Sequence, residues 1–257
     1  MYSLRNRVAL ITGGSRGLGA LVAQKYAAEG CNVAINYASS KDAAENLAAE
    51  LRESYKVKAI TIQGDAGLQS DCVNVVKTTI DQLGGLDIIV SNAGWTKITK
   101  FGDLDAMDDE EWDRVGVTMG CWSMNIKGHF YLFKAALSTF NANPEGGVFL
   151  LTSSIAAVTP TGSSLPYAIT KAGGLHMVKC LAHTQGSKVR VNAVLPGLLL
   201  TEWGQRFPAQ AIEGWTAKTA LKKVPELEDA AQAYVMLAQN TSMTGQEIQI
   251  DSGFSFK

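Results

Sequence analysis

Seven short runs of β-branched and other apolar residues recur along the chain, and longer segments with helical spacing of apolar residues separate them. The runs are RVALIT from Arg7, NVAINY from Asn32, VKAITIQ from Val57, LDIIVS from Leu86, GVFLLTS from Gly147, KVRVNAV from Lys188 and EIQID from Glu247. The separating segments include KDAAENLAAELRES from Lys41 and LQSDCVNVVKTTIDQL from Leu68. Continuously apolar strands that alternate with helices predict a parallel sheet covered on both faces.

The predicted fold class is therefore α/β, with a single Rossmann-type, doubly wound parallel sheet and helices on both faces. No low-complexity linker or internal repeat divides the 257 residues. We expect one dinucleotide-binding and catalytic domain over residues 1–257. In such sheets ligands bind beyond the carboxyl ends of the strands.

The composition narrows the class of protein further. With 46% hydrophobic and 18% charged residues the chain can bury a large core, and 23 basic against 24 acidic residues give no reason to expect nucleic acid or an anionic membrane as a partner. No apolar run is long enough to span a bilayer, and residues 1–7 lack the apolar stretch of a signal peptide. Four scattered cysteines and three histidines without metal-ligand spacing predict a cytoplasmic protein with no metal site.

A glycine-rich segment, TGGSRGLG from Thr12, follows the first predicted strand and leads into a helix. Gly13, Gly17 and Gly19 allow a sharp turn and close approach to a pyrophosphate, whose charge the helix N-terminus favours. The spacing is one residue wider than the usual dinucleotide pattern. Such a turn can also be purely structural, but its position after the first strand favours a dinucleotide site.

The end of the second strand bears on which dinucleotide binds. A site for NAD usually has an acidic residue there, yet no acid occurs between Glu29 and Asp42. Donors and positive charge are available instead from Arg16, Asn36, Ser39, Ser40 and Lys41. They are also compatible with an ordinary polar loop, but the missing carboxylate favours NADP(H).

Tyr167 and Lys171, within PYAITK, are four residues apart and share one face of a predicted helix. A nearby ammonium favours the ionised phenol and lowers its pKa. The pair therefore predicts an acid–base site, although an exposed Tyr/Lys pair on an ordinary helix has the same spacing.

Six motifs in one order resemble the short-chain dehydrogenase/reductase family. They are TGGSRGLG, SNAG at Ser91, MNIKG at Met124, LTSS at Leu151, YAITK at Tyr167 and VNAVLPGLLLT at Val191. The resemblance runs from about Val8 to Gly253 and is strongest to NADPH-dependent carbonyl reductases, such as 3-oxoacyl-carrier-protein and polyhydroxynaphthalene reductases. It implies the same α/β fold and a homo-oligomer, tetramer or dimer.

The resemblance also implies a catalytic tetrad. Tyr167 would protonate the carbonyl oxygen, and Lys171 would lower the pKa of Tyr167 and bind the nicotinamide ribose. Of two adjacent serines, the family's interval of thirteen residues before the tyrosine selects Ser154, which would hold the substrate oxygen. Asn125 would support a water that relays protons to Lys171, although an asparagine in a helix can also mark a kink.

Further positions carry over from the family as cofactor contacts. The whole predicted cofactor set is Gly13, Ser15, Arg16, Gly17, Leu18, Gly19, Asn36, Ser39, Asp65, Asn92, Ala93, Gly94, Tyr167, Lys171, Pro196, Gly197 and Thr201. In the family Asp65 corresponds to an acid that binds the adenine amino group; the alternative is a helix N-cap.

The expected activity is reduction of a ketone or aldehyde by NADPH, on a small apolar or aromatic substrate. A segment at about residues 198–224, with Trp203, Phe207 and Trp215, would cover that substrate. Two alternatives stay open. One is an NAD-linked alcohol or polyol dehydrogenase, and the other is a cofactor-binding scaffold with a non-redox or regulatory role.

One segment departs from the family pattern. Trp112 and Asn125 are 13 positions apart, where relatives have seven, so residues 116–121 have the character of a six-residue insertion in a helix. Two glycines lie within it, and each disfavours a helix interior. We expect these residues to leave the helix as a bulge, so that Asn125 keeps its place and the apolar side chains of Val117, Met119 and Trp122 need cover.

Overall fold

The structure is a computed structural model, which describes residues 1–113 and 120–256. The strands are Val8–Ile11 (β1), Asn32–Tyr37 (β2), Ala59–Gln63 (β3), Ile88–Ser91 (β4), Gly147–Thr152 (β5), Val189–Pro196 (β6) and Glu247–Ile250 (β7). The α-helices are Gly17–Ala28 (α1), Lys41–Tyr55 (α2), Gln69–Leu83 (α3), Asp109–Trp112 (α4), Gly128–Ala142 (α5), Leu165–Gln185 (α6), Ala209–Lys218 (α7) and Leu227–Gln239 (α8). A π-helical turn spans Ser123–Lys127, and 3-10 turns span Ile155–Ala157 and Gly204–Arg206.

The strands form one parallel sheet in the order β3-β2-β1-β4-β5-β6-β7. Each of the seven predicted runs contains one of these strands, and the fold-class prediction is confirmed. In the centre of the sheet, Leu10 pairs with Ala34 on one side and with Ile89 on the other. The strand order reverses between β1 and β4, which is where sheets of this type bind ligands.

Successive side chains of the central strands point to opposite faces of the sheet and feed two separate cores. Ile11 packs in the core under α1, α2 and α8, which includes the large ring of Tyr26. Leu10, its neighbour, packs in the core under α3, α5 and α6, which includes Phe133 and Phe149. Each large apolar side chain buried in these cores contributes about 1.5–3 kcal/mol. Both faces of the sheet are thereby covered, and its carboxyl edge is left for the site.

In the described part of the chain, no helix combines the length and the apolar character needed to cross a bilayer. The histidine, cysteine and acidic side chains of that part form no group of three or more that could hold a metal ion.

The region of the expected insertion interrupts the helix. Helix α4 ends at Trp112, and Asp113 has extended backbone angles, φ −129° and ψ 156°. Residues 114–119, including Gly116, Val117 and Met119, lie outside the described residues, so the path of the expected bulge is not part of this description. Cys121 was expected to leave the helix, but it is helical and buried. Helical structure thus resumes one residue earlier than the family register suggested.

Candidate active site

A cavity of about 740 Å³ opens at the carboxyl edge of the sheet. Its walls come from the segments that follow each of the seven strands, together with the start of α6 and residues 198–225. It extends from the glycine-rich turn after β1 to Tyr167 and Lys171 on α6. One continuous space thus joins the two sites that the sequence predicted separately.

Most of the predicted site residues line this cavity. They are Gly13, Ser15, Arg16, Gly17, Leu18, Asn36, Ser39, Asn92, Ala93, Gly94, Ser154, Tyr167, Lys171, Pro196, Gly197 and Thr201. Gly19, Asp65 and Asn125 do not line it. Each of these three has contacts elsewhere that explain its position.

The glycine-rich turn depends on its glycines in two different ways. Gly13 and Gly17 have φ values of +59° and +56°, which residues other than glycine rarely adopt. A Cβ on Gly19 would lie only 2.4 Å from the carbonyl oxygen of Gly13, so Gly19 packs the helix directly against the turn. No side chain caps α1 at Arg16, and the first backbone N–H groups of the helix therefore remain available to an anion.

Asn36 lies at the cavity, but its side chain does not point where the sequence suggested. Only 2% of the residue is exposed, and its Nδ2 donates to the carbonyl oxygens of Ile62 at 3.3 Å and Gly64 at 2.9 Å. Both donors of the amide are engaged in joining β2 to β3. The expectation that Asn36 faces a 2′-phosphate is therefore corrected, because its amide satisfies buried carbonyl groups instead. Ala38, two residues on, is exposed and lines the cavity.

Asp65 uses its carboxylate within its own loop. Its Oδ1 accepts a hydrogen bond from the backbone N–H of Gly67 at 2.8 Å, and its own N–H donates to Asp71 Oδ2 at 2.9 Å. The flanking residues Gly64 and Ala66 line the cavity, whereas Asp65 does not. Asp65 is not the N-cap of α3 either, since that position is Leu68.

The first turn of α6 positions the Tyr/Lys pair. The Ser164 hydroxyl accepts from the backbone N–H of Tyr167 at 3.3 Å and caps the helix, and Pro166 follows at a position that tolerates proline. Lys171 lies one turn later and is 3% exposed. Its Nζ is 5.5 Å from the centre of the Tyr167 ring and donates to the carbonyl oxygen of Thr152 at 2.8 Å.

The acid–base properties of this pair differ from the expectation. Burial raises the pKa of Tyr167 to about 12, the Ser154 hydroxyl lowers it by a smaller amount, and the Cys121 thiol raises it. Burial also lowers the pKa of Lys171, to about 8. The prediction that Lys171 depresses the phenol pKa is wrong for this structure, because desolvation raises that pKa and Lys171, whose own ammonium form is disfavoured by burial, is not among the groups that shift it. Tyr167 is a protonated phenol at neutral pH.

The two candidate serines are in different environments. Ser153 is buried, and its hydroxyl donates to the backbone carbonyl of Lys171 at 3.2 Å. Ser154 is only half-buried and lines the cavity near Tyr167, where its Oγ accepts from the N–H of Ala156 at 3.1 Å. The Ser154 oxygen therefore faces the phenol, while the Ser153 hydroxyl is committed to α6.

Asn125 lies in the π-helical turn, a local widening of the helix that is frequent at functional sites. It is fully buried, and its amide group pairs with the backbone of Trp95: Oδ1 accepts from N at 2.9 Å, and Nδ2 donates to O at 2.9 Å. Nδ2 also donates to Thr170 Oγ1 on α6 at 3.1 Å. A methyl group built on Gly94 would lie 3.2 Å from Asn125 Oδ1 and 3.4 Å from Lys171 Nζ, so both atoms border the same small space.

Several lining residues were not singled out from the sequence. Trp95 follows the motif SNAG and Met124 begins the motif MNIKG, whereas Asp251 and Phe254 reach the cavity from beyond β7. The position of Trp95 directly after SNAG was a usable signal. Nothing local in the sequence marked Phe254, because its proximity depends on the edge strand β7 pairing with β6.

Comparison with known proteins gave consistent matches over nearly the whole chain. The profile of the family described as enoyl-(acyl carrier protein) reductase matches residues 13–255. A protein of Streptomyces violaceoruber, named as a ketoacyl reductase of the granaticin polyketide synthase, is 37% identical over 248 residues, which cover 96% of this chain and 95% of that protein. Versicolorin reductase 1 of Aspergillus parasiticus is 32% identical over 268 residues, covering 98% and 97% of the two chains.

Among solved structures, the NADPH-dependent 3-quinuclidinone reductase of Rhodotorula rubra superposes with a TM-score of 0.90. It is 27% identical in sequence, and the match covers 100% of this chain and 94% of that one.

Proposed function

The chain belongs to the short-chain dehydrogenase/reductase family, and from this premise we propose that it reduces a ketone or aldehyde with NADPH, using Tyr167 as the proton donor. The observation that carries the proposal is the single cavity that joins the glycine-rich turn to Ser154, Tyr167 and Lys171. A dinucleotide held at one end and an acid at the other are the two requirements of this reaction.

Tyr167 and Ser154 would act directly on the carbonyl group. Because the pKa of Tyr167 is raised to about 12, the phenol holds its proton at neutral pH and can donate it to the oxygen that becomes negatively charged. The Ser154 hydroxyl, on the same side of the cavity, would donate a hydrogen bond to that oxygen and stabilise the developing charge. The products are then an alcohol and a tyrosinate that must be reprotonated.

Lys171 and Asn125 would support that reprotonation. Lys171 Nζ lies near the Tyr167 ring and has a pKa lowered to about 8, so it can both hold and release a proton close to neutral pH. Asn125 borders the same space and fixes the backbone at Trp95. We assign Asn125 the role of keeping a proton path to Lys171 in order.

The residues at the other end of the cavity fit NADP(H). When bound there, NADPH supplies the hydride that reduces the carbonyl carbon. The uncapped N-terminus of α1 and the turn at Gly13 and Gly17 would hold the pyrophosphate. Arg16 and Ser39 line the cavity near the end of β2, a strand that carries no acidic residue between Glu29 and Asp42, and would hold the 2′-phosphate. Arg16 lies 3.3 Å from the carboxylate of Glu202, a pairing that the phosphate would compete with.

The substrate would be small and apolar or aromatic. Residues 198–224, which contain α7, would cover the substrate, and three of their side chains that line the cavity, Trp203, Phe207 and Trp215, are aromatic. The chain would act as one domain over residues 1–257. The names of two relatives, a ketoacyl reductase of a polyketide synthase and versicolorin reductase 1, support a carbonyl compound of this kind.

A homo-oligomer, tetramer or dimer, in the cytoplasm completes the proposal. Trp122, Phe130 and Ile169 are large apolar side chains that are exposed on neighbouring elements of the chain. A methyl built on Gly173 of α6 would lie 3.1 Å from Ile126 Cδ1, so the π-helical turn and α6 pack closely and present these side chains on adjoining surfaces. A second copy would cover them.

Replacing Tyr167 by phenylalanine tests the proposal. Tyr167→Phe should lower kcat about 10²–10⁴-fold, while the Kd for NADPH, from fluorescence titration, stays within about twofold because only the transferable proton is lost. Tyr55→Phe, at an exposed position on α2, serves as the control. The unmodified protein should bind NADPH at least tenfold more tightly than NADH, about 1.4 kcal/mol.

Two results would count against this proposal. Reductase activity retained in Tyr167→Phe over a panel of aromatic, acyl and sugar ketones would remove the proton donor. Equal affinities for NADPH and NADH would favour the NAD-linked alcohol dehydrogenase instead.

A further inference from the structure

Four aromatic side chains form a continuous row that begins at the phenol of Tyr167 and ends on α7. The ring centres of Tyr167 and Trp203 are 6.2 Å apart, those of Trp203 and Phe207 5.7 Å, and those of Phe207 and Trp215 4.9 Å. All four side chains line the cavity. The aromatic row is therefore one wall of the cavity, and its first ring carries the proton of the proposed reaction.

Trp203 is the member of the row best placed to contact a bound molecule. It is 38% exposed, whereas Phe207 is buried. The two rings meet at an interplanar angle of 86°, the edge-to-face arrangement that aromatic pairs favour. Phe207 thus fixes the orientation of the indole and leaves part of its surface open.

The spacing of the first two rings limits how a flat molecule can bind. A flat molecule between two rings makes a carbon–carbon contact of about 3.5–4 Å on each of its faces, so the ring centres must be about 7–8 Å apart. The centres of Tyr167 and Trp203 are closer, at 6.2 Å, and their planes are inclined by 40°. A flat molecule therefore does not fit between them. The surface left for such a molecule is the open part of the indole, next to the Tyr167 ring.

A rigid wall of this kind favours some ketones over others. A fused-ring ketone has few torsions to lose on binding, and its flat face contacts the indole over a large area. A linear acyl chain loses conformational entropy at each rotatable bond on binding, and it makes less contact area with a flat surface. Other apolar residues, among them Trp95, Met124 and Val224, also line the cavity.

We propose that Trp203 is the residue that selects fused-ring aromatic ketones over linear acyl thioesters. This inference rests on the proposed carbonyl reduction and adds the side chain that discriminates between two classes of substrate. Trp203 makes this selection by contact with the rings of the substrate, and it takes no part in proton transfer.

The experiment compares two ketones in the presence of NADPH: 1-tetralone, a fused-ring ketone, and the N-acetylcysteamine thioester of acetoacetate, a linear one. In the unmodified protein kcat/KM should be higher for 1-tetralone. Trp203→Leu should lower kcat/KM for 1-tetralone at least tenfold, mainly by raising KM, and change the value for the thioester less than threefold. Trp203→Phe, which keeps a flat ring, should recover 1-tetralone reduction to within about threefold.

The matched control is Tyr55→Leu, which removes an aromatic side chain of the same 38% exposure from the end of α2, away from the cavity. It should leave both ketones unaffected. Equal losses on the two ketones in Trp203→Leu, or no loss on 1-tetralone, would overturn the role of Trp203. A preference of the unmodified protein for the thioester would overturn the substrate class.

A second measurement separates this inference from the proposed function. If the unmodified protein reduces neither these two ketones nor any other ketone of the panel of aromatic, acyl and sugar ketones, the proposed function fails, and calorimetric titration with 2-naphthol then tests Trp203 without turnover. Reduction of a sugar ketone alone would overturn the fused-ring substrate class. A Kd for 2-naphthol that rises at least tenfold in Trp203→Leu and not in Tyr55→Leu supports the aromatic site. An unchanged Kd overturns it.

Discussion

The two ends of the cavity differ in the groups that line them. At the cofactor end, the turn at residues 12–19, the walls are mainly backbone, and glycines let the chain approach itself closely, as where Gly19 meets the Gly13 carbonyl. At the catalytic end the walls are side chains that arrive from separate elements, such as Ser154 after β5 and the buried Lys171 of α6, with the buried Asn125 of the π-helical turn behind them.

The difference has a physical consequence for each end. A backbone site tolerates little added volume, because a backbone carbonyl cannot move aside as the end of a flexible side chain can. A site of buried polar side chains depends instead on protonation, because desolvation shifts the pKa values of its titratable groups, Tyr167 and Lys171. Sterics should therefore govern the cofactor end and pH the catalytic end.

The largest expected effect concerns Lys171, whose pKa falls from 10.5 to about 8 on folding. Below pH 8 the folded protein carries the full cost of a buried ammonium, and this cost is relieved as the pH rises towards 10.5, because the unfolded chain then binds more protons than the folded one. Lys171→Met removes the charge. Its free energy of unfolding relative to the unmodified protein should fall by roughly 3 kcal/mol between pH 7 and pH 10.5.

Urea denaturation at the two pH values measures this difference. Lys77→Met, the same change at an exposed position of α3, is the control and should alter stability by less than about 0.5 kcal/mol at either pH. A stability difference for Lys171→Met that is the same at pH 7 and pH 10.5 would show that burial does not control this end of the cavity.

An intermediate effect is expected at the cofactor end. Gly19→Ala places a Cβ 2.4 Å from the Gly13 carbonyl oxygen and should destabilise the fold by about 2 kcal/mol, with weaker NADPH binding because the turn must shift. Gly214→Ala, in α7, has nothing within 4 Å and should instead stabilise the protein by up to about 1 kcal/mol. Thermal unfolding and NADPH titration of the two variants give the comparison, and equal behaviour of the pair contradicts it.

The smallest effect concerns which residue at the end of β2 controls the preference for NADPH over NADH. Asn36→Asp removes two donors from the buried carbonyls of Ile62 and Gly64 and should cost about 1–2 kcal/mol of stability, with little change in the ratio of NADPH to NADH affinity. Ala38→Asp adds a carboxylate at an exposed cavity position and should lower that ratio about tenfold at unchanged stability. A cofactor switch in Asn36→Asp, and none in Ala38→Asp, would reverse this assignment.

The sequence predicted the strands correctly, and most of the site residues it named line the cavity, because both depend on local patterns. A strand such as VALI is recognised from the apolar pattern of its own residues, and the glycine-rich turn after β1 is recognised from eight consecutive residues. It was wrong about the direction of the Asn36 side chain, which depends on carbonyls of another strand. It was also wrong about the phenol pKa, which depends on burial by the whole fold.

The sequence by itself determined the parallel sheet, the place of the turn at its carboxyl edge and the spacing of Tyr167 and Lys171 on one helix face. Only the tertiary structure decided which groups are desolvated and which side chains from distant elements meet, as Trp203 meets Tyr167 across 36 positions of the chain. The reason is that strand and helix periods arise from neighbouring residues, whereas dielectric surroundings and ring contacts arise from packing between segments far apart in sequence.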